Sequence, residues 1–353
     1  MPVVKETFGT LPDGRAVEAV TLSNGRGLVA RVIAWGAALQ SLLVPDREGA
    51  AADVTLGYAS LEGYLEGTEY FGCTVGRVAN RIALGRFDLD GKTYQIPINN
   101  GANALHGGTA GFDKVLWEIA EAGERHVTMR YVSPDGEMGF PGTLTAEATY
   151  SVDPDGNVLR LDYRATTDAP TVCNLSHHAY WNLAGEGGPR GVMEHLLTIP
   201  ADHFTPTDEG AIPTGEMRAV EGTPFDFREP TAIGARVRDA SDAQIRFGKG
   251  YDHNWAIAHE AAEAQRLLAR LEDPVSGRRL DILSNQPGLQ FYSGNFLDAS
   301  RTGKAGSLYR MGDGIALEPQ KFPDTPNRPE FGSVRLDPGE VYENRIEYRF
   351  SVS

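Results

Sequence analysis

LTAEATYSV at residues 144–152 and LRLDYRA at 159–165, joined across DPDGN at 153–157, decide the fold class of this chain. Leu144, Ala146, Ala148, Tyr150 and Val152 recur with a period of two, as do Leu159, Leu161, Tyr163 and Ala165. A period of two marks one face of a β-strand, because successive side chains point to opposite sides. The Asp, Pro, Gly and Asn between the two runs are turn formers, so the pair reads as an antiparallel hairpin. HVTMRYV at 126–132 adds Val127, Met129 and Tyr131 in the same phase, and PDGE at 134–137 supplies the next turn. The region predicts an antiparallel meander.

The same signals continue outward. RFDLDGKTYQI (86–96) reads as a hairpin turning on Asp90-Gly91. The terminal VYENRIEYRFSV sets Tyr342, Ile346, Tyr348 and Phe350 against Glu343, Arg345, Glu347 and Arg349, a half-buried strand. With 41 Gly and 21 Pro punctuating many short strands, the class is all-β, a sandwich or barrel. ASLEGYLEG (59–67) predicts a short helix. HEAAEAQRLLARLEDP (259–274) contains good helix formers, but PVSG and the strand-like RRLDILS follow, and a hairpin over 265–284 is preferred. No linker, low-complexity tract or repeat interrupts the 353 residues, so a single unit spanning 1–353 is expected.

A formal net charge of -15 without a Lys/Arg cluster argues against nucleic acid or an anionic membrane as partner. Cys73 and Cys173 sit among apolar or small neighbours and read as buried thiols. The N-terminal MPVVKETFGTLPDGR lacks an apolar core, and no run of 18 apolar residues occurs, so a soluble, cytoplasmic protein is expected. There is no HExxH, HxH or CxxC spacing, no phosphate-binding lysine loop and no G-x-S-x-G, and GEGGPRG at 185–191 carries Arg190 where a dinucleotide fingerprint needs glycine. No metal or cofactor is expected.

NLSHHAYWNLAG (174–185) holds two adjacent histidines in a run that reads as a strand. His177 shares its parity with Cys173, Leu175, Ala179, Trp181 and Leu183; His178 shares its own with Asn174, Ser176, Tyr180 and Asn182. His177 is thus the candidate for a packed histidine and His178 for one facing water or ligand. Three further strands oppose polar to apolar residues in the same way. Glu318 and Gln320 oppose Ile315 and Leu317 in GIALEPQKFPD; Asp252 and Asn254 oppose Tyr251, Trp255 and Ile257 in YDHNWAI; Gln290 lies between Leu289 and Phe291 in QPGLQFYSGNF. Each alone is compatible with a solvated strand face, but Glu318 follows the hydrophobic approach IAL, which suggests a partly buried carboxylate. Asn80 and Arg81 in GRVANRIALGRF and His106 in NNGANALHGGTAGFDK are candidates on loops, where an ion pair or a backbone hydrogen bond would equally account for them.

In this order and spacing, GRVANRI, NNGANALHGGTAGFDKVLWE, NLSHHAYWNLAG, YDHNWAI, QPGLQFYSGNFL and LEPQKFPD resemble the aldose 1-epimerases, or galactose mutarotases, from about residue 20 to the C-terminus. The resemblance implies a large antiparallel β-sandwich whose concave face binds a free sugar. It implies His178 as general acid and Glu318 as general base, with Asn80, Arg81, His106, Tyr180, Asp252 and Gln290 contacting sugar hydroxyls. The residue before the catalytic histidine is itself His here, where other members often differ; parity assigns the role to His178. In the implied reaction the base takes the proton from the anomeric O1 while the acid protonates the ring O5, and rotation about C1–C2 with reclosure inverts the anomer. Ordinary pKa values of about 4.3 for Glu and 6.5 for His leave a window in which carboxylate and imidazolium coexist. Competing readings are a glycoside hydrolase using Asp252 and Glu318 as a carboxylate pair, a non-catalytic sugar-binding sandwich, and a mutarotase for hexose 6-phosphates, which would want a basic phosphate clamp.

Overall fold

The computed structural model describes residues 4–353. The alternating runs build a nine-stranded sheet in the order Glu118–Ala122, His126–Ser133, Leu144–Val152, Val158–Thr167, Tyr342–Val352, Arg278–Ser284, Arg266–Glu272, Leu196–Thr198 and Thr231–Ala232. Every neighbouring pair is antiparallel. The meander forms as expected, and the terminal strand closes the sheet between Val158–Thr167 and Arg278–Ser284. Residues 266–284 form the hairpin, because pairing on both sides of Arg266–Glu272 outweighs its helix propensity. The expected short helix occupies Leu61–Glu66. In the hairpin of Arg86–Leu89 with Lys92–Gln95, Asp90 and Gly91 take φ of 51° and 75°, the left-handed pair that a two-residue turn needs. Glu347 departs from the expected exposed face: it is buried and held by Arg160 and Arg349.

A second antiparallel sheet of six strands runs Tyr180–Trp181, Ile315–Gln320, Gly288–Tyr292, Asp252–Ala256, His203–Thr205 and Arg218–Ala219. Trp255, Leu289, Phe291, Ile315 and Leu317 from one of its faces join Val127, Met129, Tyr150, Leu161, Ile346 and Tyr348 of the larger sheet in a single buried cluster. Two sheets sharing one apolar layer make a sandwich. Packing of Leu317 on this layer turns Glu318 to the opposite side, and truncating Leu317 to Ala would cost about 2–5 kcal/mol while loosening that orientation. Cys73 and Cys173 are free and buried. No described helix is long and apolar enough to cross a membrane.

The run 174–185 is not one strand. Ser176–His177 pairs with Thr74–Val75, and Tyr180–Trp181 with Ile315–Ala316, so the chain changes partners across His178 and Ala179. Both faces are buried, yet the predicted parity holds. Leu175, Ala179, Trp181 and Leu183 enter the main core, while His177 lies fully buried against Tyr348.

Candidate active site

Neighbouring strands of the six-stranded sheet place Asn254 opposite Gln290 and Gln290 opposite Glu318, so the polar parity of three separated segments becomes one surface. This face and the loops around residues 68–114 enclose a cavity of about 510 Å3, within the roughly 300–1,000 Å3 usual for small-molecule sites. His178, Glu318, Asn80, Arg81, His106, Tyr180 and Asp252 all line it. Gln290 does not reach the wall. It stands behind Asp252, donating from Nε2 to Asp252 Oδ1 at 2.7 Å, because cross-strand neighbours of a pleated sheet share a face and Asp252 fills the space in front.

His178 Nε2 and Glu318 Oε1 are 3.7 Å apart. His178 Nδ1 and Glu318 Oε2 are buried without hydrogen-bond partners, so both groups keep unused hydrogen-bonding capacity. Arg81 donates from Nε to Asn100 Oδ1 at 3.0 Å and from Nη2 to Asp252 Oδ2 at 3.4 Å, which fixes the guanidinium between a loop and the sheet. The backbone N–H of Asn80 donates to His106 Nδ1 at 3.1 Å. An imidazole that accepts at Nδ1 carries its proton on Nε2, so His106 offers the cavity a donor. Gly107 makes the turn behind it possible: at φ of 91°, a Cβ there would fall 2.0 Å from the Gly76 carbonyl oxygen.

Burial decides the charge states. It pushes His178 down to about 4, with the Asp252 carboxylate acting weakly against it, and drives His106 well below the usual imidazole value. Burial also raises Glu318 well above the ordinary carboxylate range; the Asp252 charge adds to this and Arg81 opposes it. Burial therefore reverses the order expected from ordinary pKa values. Desolvation penalises both charges, which favours a neutral carboxyl facing a neutral imidazole over the ion pair. That state holds as many protons as the carboxylate–imidazolium pair: one between the two groups.

One atom each of His106, His178 and Glu318 lies within 4.8 Å of the others, a separation that only the fold sets. The donor set fits a metal poorly, because a ligating Nε2 on His106 would need the proton on Nδ1, where the Asn80 N–H already points. Sequence reasoning also missed Tyr70, Asn100, Tyr292 and Phe296 on the cavity wall. Asn100, Tyr292 and Phe296 lie inside segments that parity and motif had marked. Tyr70 sits in an unpatterned loop.

Such a cavity suits a small polyhydroxyl molecule handled by proton transfer. The aldose 1-epimerase family model matches residues 18–349. The galactose mutarotase of Rattus norvegicus is 45% identical over 352 residues, covering 99% of both chains, and the aldose 1-epimerase of Escherichia coli (strain K12) is 38% identical over 350 residues, again with 99% of each covered. The crystal structure of a GalM/aldose epimerase homologue from C. elegans superposes with a TM-score of 0.87 at 34% identity, covering 96% of this chain and 99% of that one. This chain belongs to the aldose 1-epimerase family. It is an isomerase that interconverts the α and β anomers of an aldose.

Proposed function

We propose that Glu318 and His178 carry the two proton transfers of anomer exchange, acting on a free aldohexose such as galactose or glucose. The observation that supports this reading best is the facing pair itself, 3.7 Å apart at the floor of a polar cavity. O1 and O5 of a cyclic aldose hang on the same carbon, so their acid and base must be close neighbours. Glu318 takes the proton of O1 as the C1–O5 bond breaks, and His178 gives a proton to O5. The products are an open-chain aldehyde and its hydroxyl. After rotation about C1–C2, the same two groups return their protons in exchanged roles.

Sugar binding favours the charged forms that burial disfavours. An O1 hydroxyl donating to Glu318 favours the carboxylate, and an O5 lone pair accepting from His178 favours the imidazolium. Binding thereby moves the single shared proton toward the arrangement in which the base can act. Arg81, Asp252, Asn80 and the His106 Nε2–H orient the hydroxyls, and Gln290 acts through Asp252. Positioned acid–base groups of this kind contribute about 100- to 10,000-fold. Glu318 is the carboxyl within 3.7 Å of His178, whereas Asp252 is held by Arg81 and Gln290, which fits binding better than hydrolysis.

The test is polarimetric equilibration of freshly dissolved α-galactose and α-glucose, with reducing-sugar release from an aryl galactoside as control. Acceleration of anomer exchange without bond cleavage is expected. Glycoside cleavage or saturable binding without acceleration would refute the reading.

A further inference from the structure

Three side-chain-bearing residues at this site adopt left-handed backbone conformations: Tyr70 at φ of 61°, Asn80 at 63° and His106 at 51°. Such conformations cost of order 1 kcal/mol or more for a residue with a bulky side chain and persist only where the surroundings enforce them. Asn80 and His106 are explained by the hydrogen bonds between them, His106 N–H to the Asn80 carbonyl at 2.9 Å and Asn80 N–H to His106 Nδ1 at 3.1 Å. At Tyr70 the carbonyl accepts from the Cys73 N–H at 3.1 Å, which closes a turn but makes no contact with the other two residues. The Tyr70 hydroxyl makes no hydrogen bond among the described residues, so the strain is not compensated at the phenol.

What the strained backbone does is aim the ring. The Tyr70 ring meets His106 edge-on, with centroids 4.7 Å apart, and lies tilted beside His178 at 5.6 Å, while the two imidazoles stand nearly perpendicular at 5.2 Å. The turn bearing Tyr70 is bolted to the histidine segment by two backbone hydrogen bonds, Gly72 N–H to the His178 carbonyl at 3.0 Å and His178 N–H to the Cys73 carbonyl at 2.9 Å. Gly72 lets the same turn pack against Leu39, since a Cβ there would lie 2.1 Å from the Leu39 carbonyl oxygen. The junction fixes the Tyr70 main chain relative to His178, and the ring contacts with His106 and His178 complete the arrangement.

We propose that Tyr70 is a positioning residue for the epimerase reaction: its ring, and not its hydroxyl, holds the imidazoles of His106 and His178 in the mutual orientation that the proton transfer to O5 requires. The proposal rests on the assignment of His178 as the acid. Unlike the polar groups of the cavity, Tyr70 acts by packing. His178 has an unpartnered Nδ1 and only the 3.7 Å approach of Glu318 at Nε2, so no strong hydrogen bond fixes its ring rotation in the free enzyme.

The test compares Tyr70→Phe, Tyr70→Asn and Tyr70→Gly by polarimetric kcat and KM, with folding followed by circular dichroism. Asn and Gly both tolerate the left-handed backbone, so these variants remove the ring without adding strain. Tyr70→Phe should keep kcat and KM within about threefold, while the ring-deleted variants should lose about 10- to 100-fold in kcat with KM changed by less than about threefold, as for a misaligned catalytic group. Equal losses in Tyr70→Phe and Tyr70→Asn would overturn the proposal by moving the role to the hydroxyl. A raised KM at unchanged kcat would overturn it by making Tyr70 a sugar contact, and wild-type kinetics without the ring would overturn it outright. If both ring-deleted variants failed to fold while Tyr70→Phe folded, Tyr70 would be a core residue and the proposal would also fall. His178→Asn, measured alongside, reads the underlying assignment separately: full activity there removes the acid whatever the Tyr70 variants show.

Discussion

His178 Nε2 lies 3.7 Å from Glu318 Oε1, near enough to serve adjacent atoms of one ligand and too far for a direct hydrogen bond. The two groups are thus poised to act on oxygens placed between them instead of neutralising one another. Because both serve one reaction, their contributions should not add. Glu318→Gln and His178→Asn should each lower kcat by about two to four orders of magnitude, and the double variant should be little worse than the poorer single one. Polarimetric rates for the three variants test this; a strictly multiplicative double loss would mean that the groups act in separate steps.

The pH dependence follows from the shared proton. The active form of the pair carries one proton, and the second is gained only as the pH falls through the depressed His178 value of about 4. Lowering an imidazole pKa extends the active form to more acidic pH, so the acid limb of kcat/KM should lie well below the ordinary imidazole value of about 6.5. The limb belongs to the coupled pair and not to one residue. Rates measured from pH 4 to 8 on folded enzyme and corrected for spontaneous mutarotation check it; a limb between 6 and 7 would contradict the desolvated site.

Asp252 is already satisfied by Gln290 Nε2 at 2.7 Å and Arg81 Nη2 at 3.4 Å, which holds it ready to accept from a sugar hydroxyl. Asp252→Asn should raise KM by about 10-fold or more, the loss of a charged hydrogen-bond acceptor in a buried site, with a smaller change in kcat. The variant also removes a negative charge that helps keep Glu318 protonated, so the Glu318 pKa should move down. Initial rates across sugar concentration separate the two effects. An Asp252→Asn enzyme with unchanged KM and lost kcat would place Asp252 in the chemistry.

His177 tests the distinction between the paired histidines. Its Nδ1 accepts from the Tyr348 hydroxyl at 2.8 Å and its Nε2–H donates to the Gly72 carbonyl at 3.1 Å, while burial holds its pKa down at about 3. His177→Asn should cost about 1–3 kcal/mol of stability while activity per folded molecule largely persists. Since the folded pKa lies below the unfolded one, acidification favours the unfolded chain. The stability gap between wild type and His177→Asn should be fully present above about pH 6.5 and narrow by about 1.4 kcal/mol per pH unit below it. Urea unfolding at pH 7.5 and 5.5 measures this, and a gap that widens on acidification would reverse the assignment.

Local periodicity was enough to read the meander, the Asp90-Gly91 turn and the opposite faces of His177 and His178, because strand side chains alternate whatever the surrounding fold. It was also enough to select Glu318, Asp252 and Gln290 as one polar set, since each was flanked by residues that had to enter a core. Asn80, Arg81 and His106 stood out only as candidates in segments with no period to read, and motif resemblance gave them a role. Tertiary structure alone decided the rest. It broke the 174–185 run between two partner strands, set Gln290 behind Asp252, and brought Tyr70 from an unpatterned loop onto two imidazoles. It also reversed the protonation order of His178 and Glu318. Desolvation and ring packing depend on what the whole chain brings around a side chain, and neither leaves a mark in the order of neighbouring residues.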